Sequence, residues 1–157
     1  MIIAALDPTD PRRDKAREVL EVRNNKVISE LVVAELGNVL HRHYETLVSV
    51  RDRLGVDKYV ATKAVILYIM KRFNLRYINV RGFTRTVFGR IYIPFALTIE
   101  LAGKIRLKTL DLLHIAYVKA MKEQGLSIHT LLTADTDFKN VEKDLKELLG
   151  VQVELVD

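Results

Sequence analysis

Four short apolar runs constrain this chain more than any other feature, because each is too short to be a helix and each is followed or preceded by a segment with helical spacing. They are Val27 with Ile28, residues 77–80, residues 130–133, and the alternating Val151, Val153 and Leu155. Short strands separated by helices are joined by crossovers rather than tight turns, and so pair in parallel. The expectation is an α/β chain arranged as a three-layer α/β/α sandwich with a mainly parallel central sheet.

The segments between the runs supply the helices. Asp10 and Pro11 read as an N-cap and first helical residue, opening a helix to about Val22. Ser29 caps a second helix with the stripe Leu31, Val32, Leu36, Val39 and Leu40, and Gly55 separates it from a third over 57–73 with Val60, Ala64, Leu67 and Tyr68 on one face. Further helices are expected over 95–104, from Thr109 to a stop at Gly125, and before Gly150. Between residues 81 and 94 the pattern weakens to loop with a short helix. Met1 to Leu6 reads as the end of a buried strand, or the turn after one, running into the turn-like Asp7, Pro8, Thr9 and Asp10.

With 157 residues and no repeat, linker or low-complexity stretch, residues 1–157 read as one domain. The absence of Cys excludes disulfides, thiolate zinc sites and cysteine nucleophiles, leaving oxygen donors as the main metal option. No leader or membrane span is evident, so a cytoplasmic location is expected. The formal charge of +5 is concentrated in mid-chain: no acid lies between Asp57 and Glu100, where Lys58, Lys63, Lys71, Arg72, Arg76, Arg81, Arg85 and Arg90 fall. Such a stretch attracts polyanions, and its interleaved Phe73, Tyr77, Phe83 and Phe88 suit single-stranded RNA. Phe73 and Tyr77 fit a core better, so Arg81, Arg85 and Arg90, beside glycines in the irregular stretch, are the candidate RNA contacts.

Acids also occur where acids are costly. Glu35 lies on or beside the apolar stripe of the second helix, Asp111 stands among Leu110, Leu112, Leu113 and Ile115, and Asp135 follows the apolar strand at its carboxyl end. Each has an ordinary reading: Glu35 borders the stripe and pairs with Lys26 or Arg42, Asp111 is a first-turn acid, and Asp135 and Asp137 cap the next helix. If they converge, their repulsion calls for a hard divalent cation, and Mg²⁺ or Mn²⁺ there would support phosphodiester hydrolysis.

The stretch from Leu107 to Ala116 resembles the L-x-x-x-D-x-x-H-x-A segment of PIN-domain proteins, and Leu131 to Phe138 is similar to the family's L-[LV]-T-x-D-x-D-F strand and turn. Ser29 to Val39 resembles its helix carrying another acid. The resemblance covers nearly the whole chain. It implies a metal-dependent ribonuclease like the toxins of toxin–antitoxin pairs, using Mg²⁺ or Mn²⁺, with RNA as substrate, an antitoxin as partner and a homodimeric assembly. By motif position Glu35, Asp111 and Asp135 would be metal-site acids and Asp137 an additional one, while His114 fits a structural role better than a ligand's. The family's initial D-[TS]-[NS] has no counterpart, since Met1 to Asp7 is similar to the segment immediately after that motif. Asp7 and Asp10 are poor substitutes, so the resemblance implies a truncated first strand and impaired catalysis, with an RNA-binding or interaction module as the alternative.

Overall fold

The computed structural model describes residues 1–7, 9–42 and 44–156, so Pro8 of the expected turn lies outside the described residues. The chain divides into two compact units, Ile2–Ile78 and Asn79–Asp157 with Met1.

In the first unit, α1 (Ile2–Leu6) and α2 (Arg13–Val22) pack on each other, followed by β1 (Lys26–Ser29), α3 (Glu30–Arg42), α4 (Tyr44–Leu54), α5 (Lys58–Arg72) and β2 (Leu75–Ile78). The expected strand end at Met1 to Leu6 is instead helical. Ala4, Ala5 and Leu6 favour helix, Asp7 N–H continues the pattern by donating to Ile3 O at 2.9 Å, and the small Ala4 and Ala5 are buried. Helix α2 starts at Arg13 rather than Pro11. Asp10 nevertheless accepts from the Arg12 backbone N–H at 2.9 Å and from its guanidinium, which together hold the Asp10 carboxyl down at about 2.

Strands β1 and β2 pair in parallel, Lys26 opposite Leu75 and Ser29 opposite Ile78. Ser29 caps α3 as expected, its Oγ accepting from Val32 N–H at 3.4 Å. Asp57 caps α5 by accepting from Tyr59 and Val60 N–H at 2.8 and 2.9 Å. The expected face of α5 is not the buried one: Ala61, Thr62 and Ile69 are buried, whereas Val60, Leu67 and Tyr68 are exposed. This helix is apolar on two sides, and spacing alone does not choose between them.

The second unit contains β3 (Phe83–Thr86), β4 (Gly89–Tyr92), α6 (Ile93–Ala102), α7 (Thr109–Glu123), β5 (Thr130–Thr133), α8 (Asp137–Asn140), α9 (Glu142–Leu149) and β6 (Gln152–Leu155). Strands β5 and β6 form a second parallel pair, Thr130 opposite Gln152 and Thr133 opposite Leu155. Residues 81–94, expected to be loop with a short helix, instead form an antiparallel hairpin, with Phe83 opposite Tyr92 and Arg85 opposite Arg90. Its tip is Val87-Phe88, which carries none of the Asn, Asp or Gly that marks a two-residue turn. The required positive φ falls on the next residue, Gly89, at 101°.

One apolar cluster organises this unit: Leu101 and Ile105, Leu112, Ile115 and Ala116 of α7, Phe138, Val141, Leu145 and Val153. Helix α9 ends at Gly150, whose φ of 61° places it in the left-handed region that favours glycine. The α/β class and the parallel pairing expected from the sequence are what the chain adopts. No helix among the described residues is long and apolar enough to cross a membrane.

Leu145 and Leu148 separate core from surface on one helix, at 0% and 45% exposure. Leu145→Ala is expected to lower unfolding free energy by about 2–5 kcal/mol and Leu148→Ala by about 0.5 kcal/mol or less, read by urea denaturation. Equal losses at the two positions would contradict this packing.

Candidate metal centre

Asp111 lies in the first turn of α7, whose N-cap is Lys108 rather than the expected Thr109. The helix is anchored by the buried Leu112, Leu113, Ile115 and Ala116, so Asp111 leaves the same turn half-buried, with little freedom to move away. His114, one turn on, is also half-buried, and its charge slightly opposes the upward push on Asp111.

Asp135 and Asp137 enter from the carboxyl end of β5. The Asp135 N–H donates to the buried Thr133 hydroxyl at 3.0 Å, and its Oδ1 accepts from the Asp137 N–H at 2.9 Å. Asp135 therefore braces the turn into α8, but the N-cap of that helix is Thr136, with no side-chain cap bond, rather than Asp135 or Asp137, while Phe138 plugs the following position into the core.

The outcome is that one carboxylate oxygen each of Asp111, Asp135 and Asp137 lie within 4.8 Å of one another. Oxygens on opposite sides of one cation, each about 2.0–2.6 Å away, are separated by just such a distance. Three oxygen donors without sulfur or a required imidazole suit a hard divalent ion. The residues present therefore fit one. Burial pushes the Asp111 carboxyl up first, the neighbouring Asp135 charge adds to it, and Lys108 and His114 pull the other way.

Lys108, to which the sequence pattern attached no role, supplies a partial counter-charge. Its ammonium donates to Asp137 Oδ2 at 2.8 Å, and Asp137 foremost, then Asp111 and Asp135, raise its pKa. A lysine three positions before Asp111, inside the motif itself, was the available signal. Lys108 and Asp137 also border an open pocket of about 770 Å³, whose wall includes Ile99, Ile105 and Leu112.

Of the four acids singled out in the sequence, three meet here. Glu35 belongs to the other unit, half-buried on α3 just before the buried Leu36, and is not a member of this cluster. Lys26, one suggested partner for it, is buried and its ammonium donates to Arg23 O. Phe73 is buried as expected, but Tyr77 is exposed.

Arg81, Arg85 and Arg90 are all exposed. Arg81 directly precedes the hairpin, its carbonyl accepting from Gln124 Nε2 at 2.8 Å. Arg85 and Arg90 are cross-strand partners, and the Arg90 guanidinium lies 4.8 Å from the Phe83 ring centroid.

No curated protein matches the chain. A chain of the crystal structure of VapBC2 from Rickettsia felis, bound to a DNA fragment from their promoter, shares its fold with a TM-score of 0.54 at 19% identity, over 99% of this chain and 93% of that one. The family profile of the PIN domain matches residues 1–144, across both compact units. With its motif acids standing at the strand end and helix start already described, the chain belongs to the PIN-domain family.

Proposed function

We propose that residues 1–157 act as one PIN domain, a Mg²⁺- or Mn²⁺-dependent ribonuclease of the toxin type. The observation that carries this reading is the convergence of Asp111, Asp135 and Asp137 within 4.8 Å. These three would hold the ion. A bound divalent ion would neutralise the cluster and a docked phosphodiester, and lower the pKa of the attacking water.

The chain's own residues set the rest. The anchored first turn of α7 fixes Asp111, and the Asp135–Asp137 turn fixes the other two, so little reorganisation is needed when a cation arrives. Lys108 places an exposed positive charge at the rim, where a phosphate oxygen can replace Asp137 as its partner. Arg81, Arg85 and Arg90 offer further phosphate contacts.

A similar fold occurring in the VapBC2 complex supports an antitoxin as protein partner. The exposed Val60, Leu67 and Tyr68 of α5 support a homodimer, since a single helix face rarely leaves three large apolar groups in water.

Cleavage of a labelled RNA in Mn²⁺ is expected to fall by about 100-fold or more in Asp111→Asn. Equal cleavage by this variant would overturn the catalytic assignment. Independently of turnover, Mn²⁺ should raise the melting temperature of the wild-type chain and not that of Asp111→Asn, whereas equal shifts would remove Asp111 from the ion's ligands.

The raised Asp111 pKa also has a pH signature. A carboxyl that binds its proton more tightly when folded favours the folded state at low pH. Without metal, that contribution is lost as pH climbs from the ordinary value of 3.8 through the raised folded one, and it stays lost above. Metal-free melting curves should therefore show a loss of stability over that window in wild type that is smaller in Asp111→Asn. Identical profiles would show that burial and the neighbouring Asp135 charge do not raise the Asp111 carboxyl.

A further inference from the structure

We propose that the β3–β4 hairpin is a stacking platform for unpaired nucleotides, with Phe88 receiving a base and Arg85 and Arg90, the latter set over the Phe83 ring, receiving the adjoining phosphates. This rests on the ribonuclease reading for the identity of the polyanion and deepens it by naming the surface that grips an unpaired strand.

Strand alternation puts Phe83, Arg85, Arg90 and Tyr92 on one face, because directly opposed residues of an antiparallel pair point the same way. Tyr92 roots that face: its hydroxyl donates to Val80 O at 2.6 Å, and its ring meets Phe83, Phe95 and Tyr117 at centroid distances of 5.7, 6.3 and 6.4 Å. Outward from this root lie Phe83, 56% exposed, then the paired guanidinium groups, then a tip with Val87 at 95% and Phe88 at 77% exposure.

The tip is held rather than loose. The Thr86 hydroxyl accepts from Phe88 N–H at 3.1 Å and donates to Gly89 O at 3.1 Å. Phe88 is thus presented to solvent on a fixed turn.

Both features are costly in isolation. Two like charges directly opposite on a two-stranded ribbon repel, and large apolar groups at a ribbon tip gain nothing from water. Among the described residues no carboxylate forms an ion pair with Arg85 or Arg90, and no acid occurs between Asp57 and Glu100 in the sequence. A partner that is anionic and also presents flat apolar faces removes both costs together. Single-stranded RNA has phosphates for the arginines and an unstacked base for the Phe88 ring. A second copy of this hairpin would bring four guanidinium groups together, so charge disfavours self-pairing. A duplex keeps its bases stacked and offers Phe88 no ring.

The test is fluorescence anisotropy with the full chain in EDTA, where no cleavage occurs, using an oligouridine of about 12 nucleotides and a duplex RNA of the same length. Phe88→Ala is expected to weaken oligouridine binding about five- to tenfold without changing its salt dependence, and to leave duplex binding as in wild type. Arg85→Gln with Arg90→Gln should instead flatten the slope of log affinity against log salt by about 1.4. Unchanged melting temperatures establish that both variants fold. Wild-type oligouridine affinity in Phe88→Ala, an equal loss on the duplex, or a fall in sedimentation mass in place of RNA affinity would each overturn the proposal. Asp111-dependent cleavage alongside Phe88-independent binding would sink the platform alone, whereas Phe88-dependent binding without metal-dependent cleavage would support the platform and sink the nuclease.

Discussion

Three carboxylates, with one oxygen of each held within 4.8 Å of the others, are the constraint on which the proposed function of this chain depends. Like charges so placed would separate if their backbones allowed it. They do not, because each is held by an element whose other residues are committed to the core. Asp111 is tied to a helix fixed by Leu112, Ile115 and Ala116, and Asp137 precedes the buried Phe138. The hydrophobic cluster of this unit therefore has an electrostatic consequence: it holds together groups whose repulsion a bound cation would relieve. Lys108 relieves only one edge, through an exposed ion pair that contributes little on its own and is easily exchanged.

Much of this was legible in the letters. An acid among Leu110, Leu112, Leu113 and Ile115 has no inexpensive place in a core, and Asp135 follows an apolar strand in the position where open α/β sheets place ligands. Of the helix caps read from the sequence, Ser29 accepts the backbone N–H of Val32 at the start of α3, whereas α2 starts at Arg13 rather than Pro11 and Lys108 takes the place of Thr109. The parallel pairing of β1 with β2 and of β5 with β6 followed from the helices lying between them.

The features that escaped the sequence share a physical cause. Val87-Phe88 is an apolar turn, and hairpins are recognised by polar or glycine turns, so the link between Phe83–Thr86 and Gly89–Tyr92 has no turn signature in the letters. Helix α5 offers two apolar stripes, and only packing decides that Ala61 and Ile69 turn inward. Ile2–Leu6 is apolar enough for a buried strand, but its alanines pack equally well as a short helix on α2. Lys108 could be singled out from its place three residues before Asp111, but its choice of Asp137 as partner spans 29 residues and is made by the fold. Each of these concerns a choice made by tertiary contact between locally equivalent options.

Whether Asp111, Asp135 and Asp137 form a single cation site is decided, without reference to catalysis, by anomalous diffraction from crystals grown with Mn²⁺. The expected result is one anomalous peak within about 2.0–2.6 Å of a carboxylate oxygen from each of these three residues, with the Lys108 ammonium displaced from Asp137. Well-ordered crystals in saturating Mn²⁺ that show no peak among the three, and Lys108 still bonded to Asp137, would contradict a shared site.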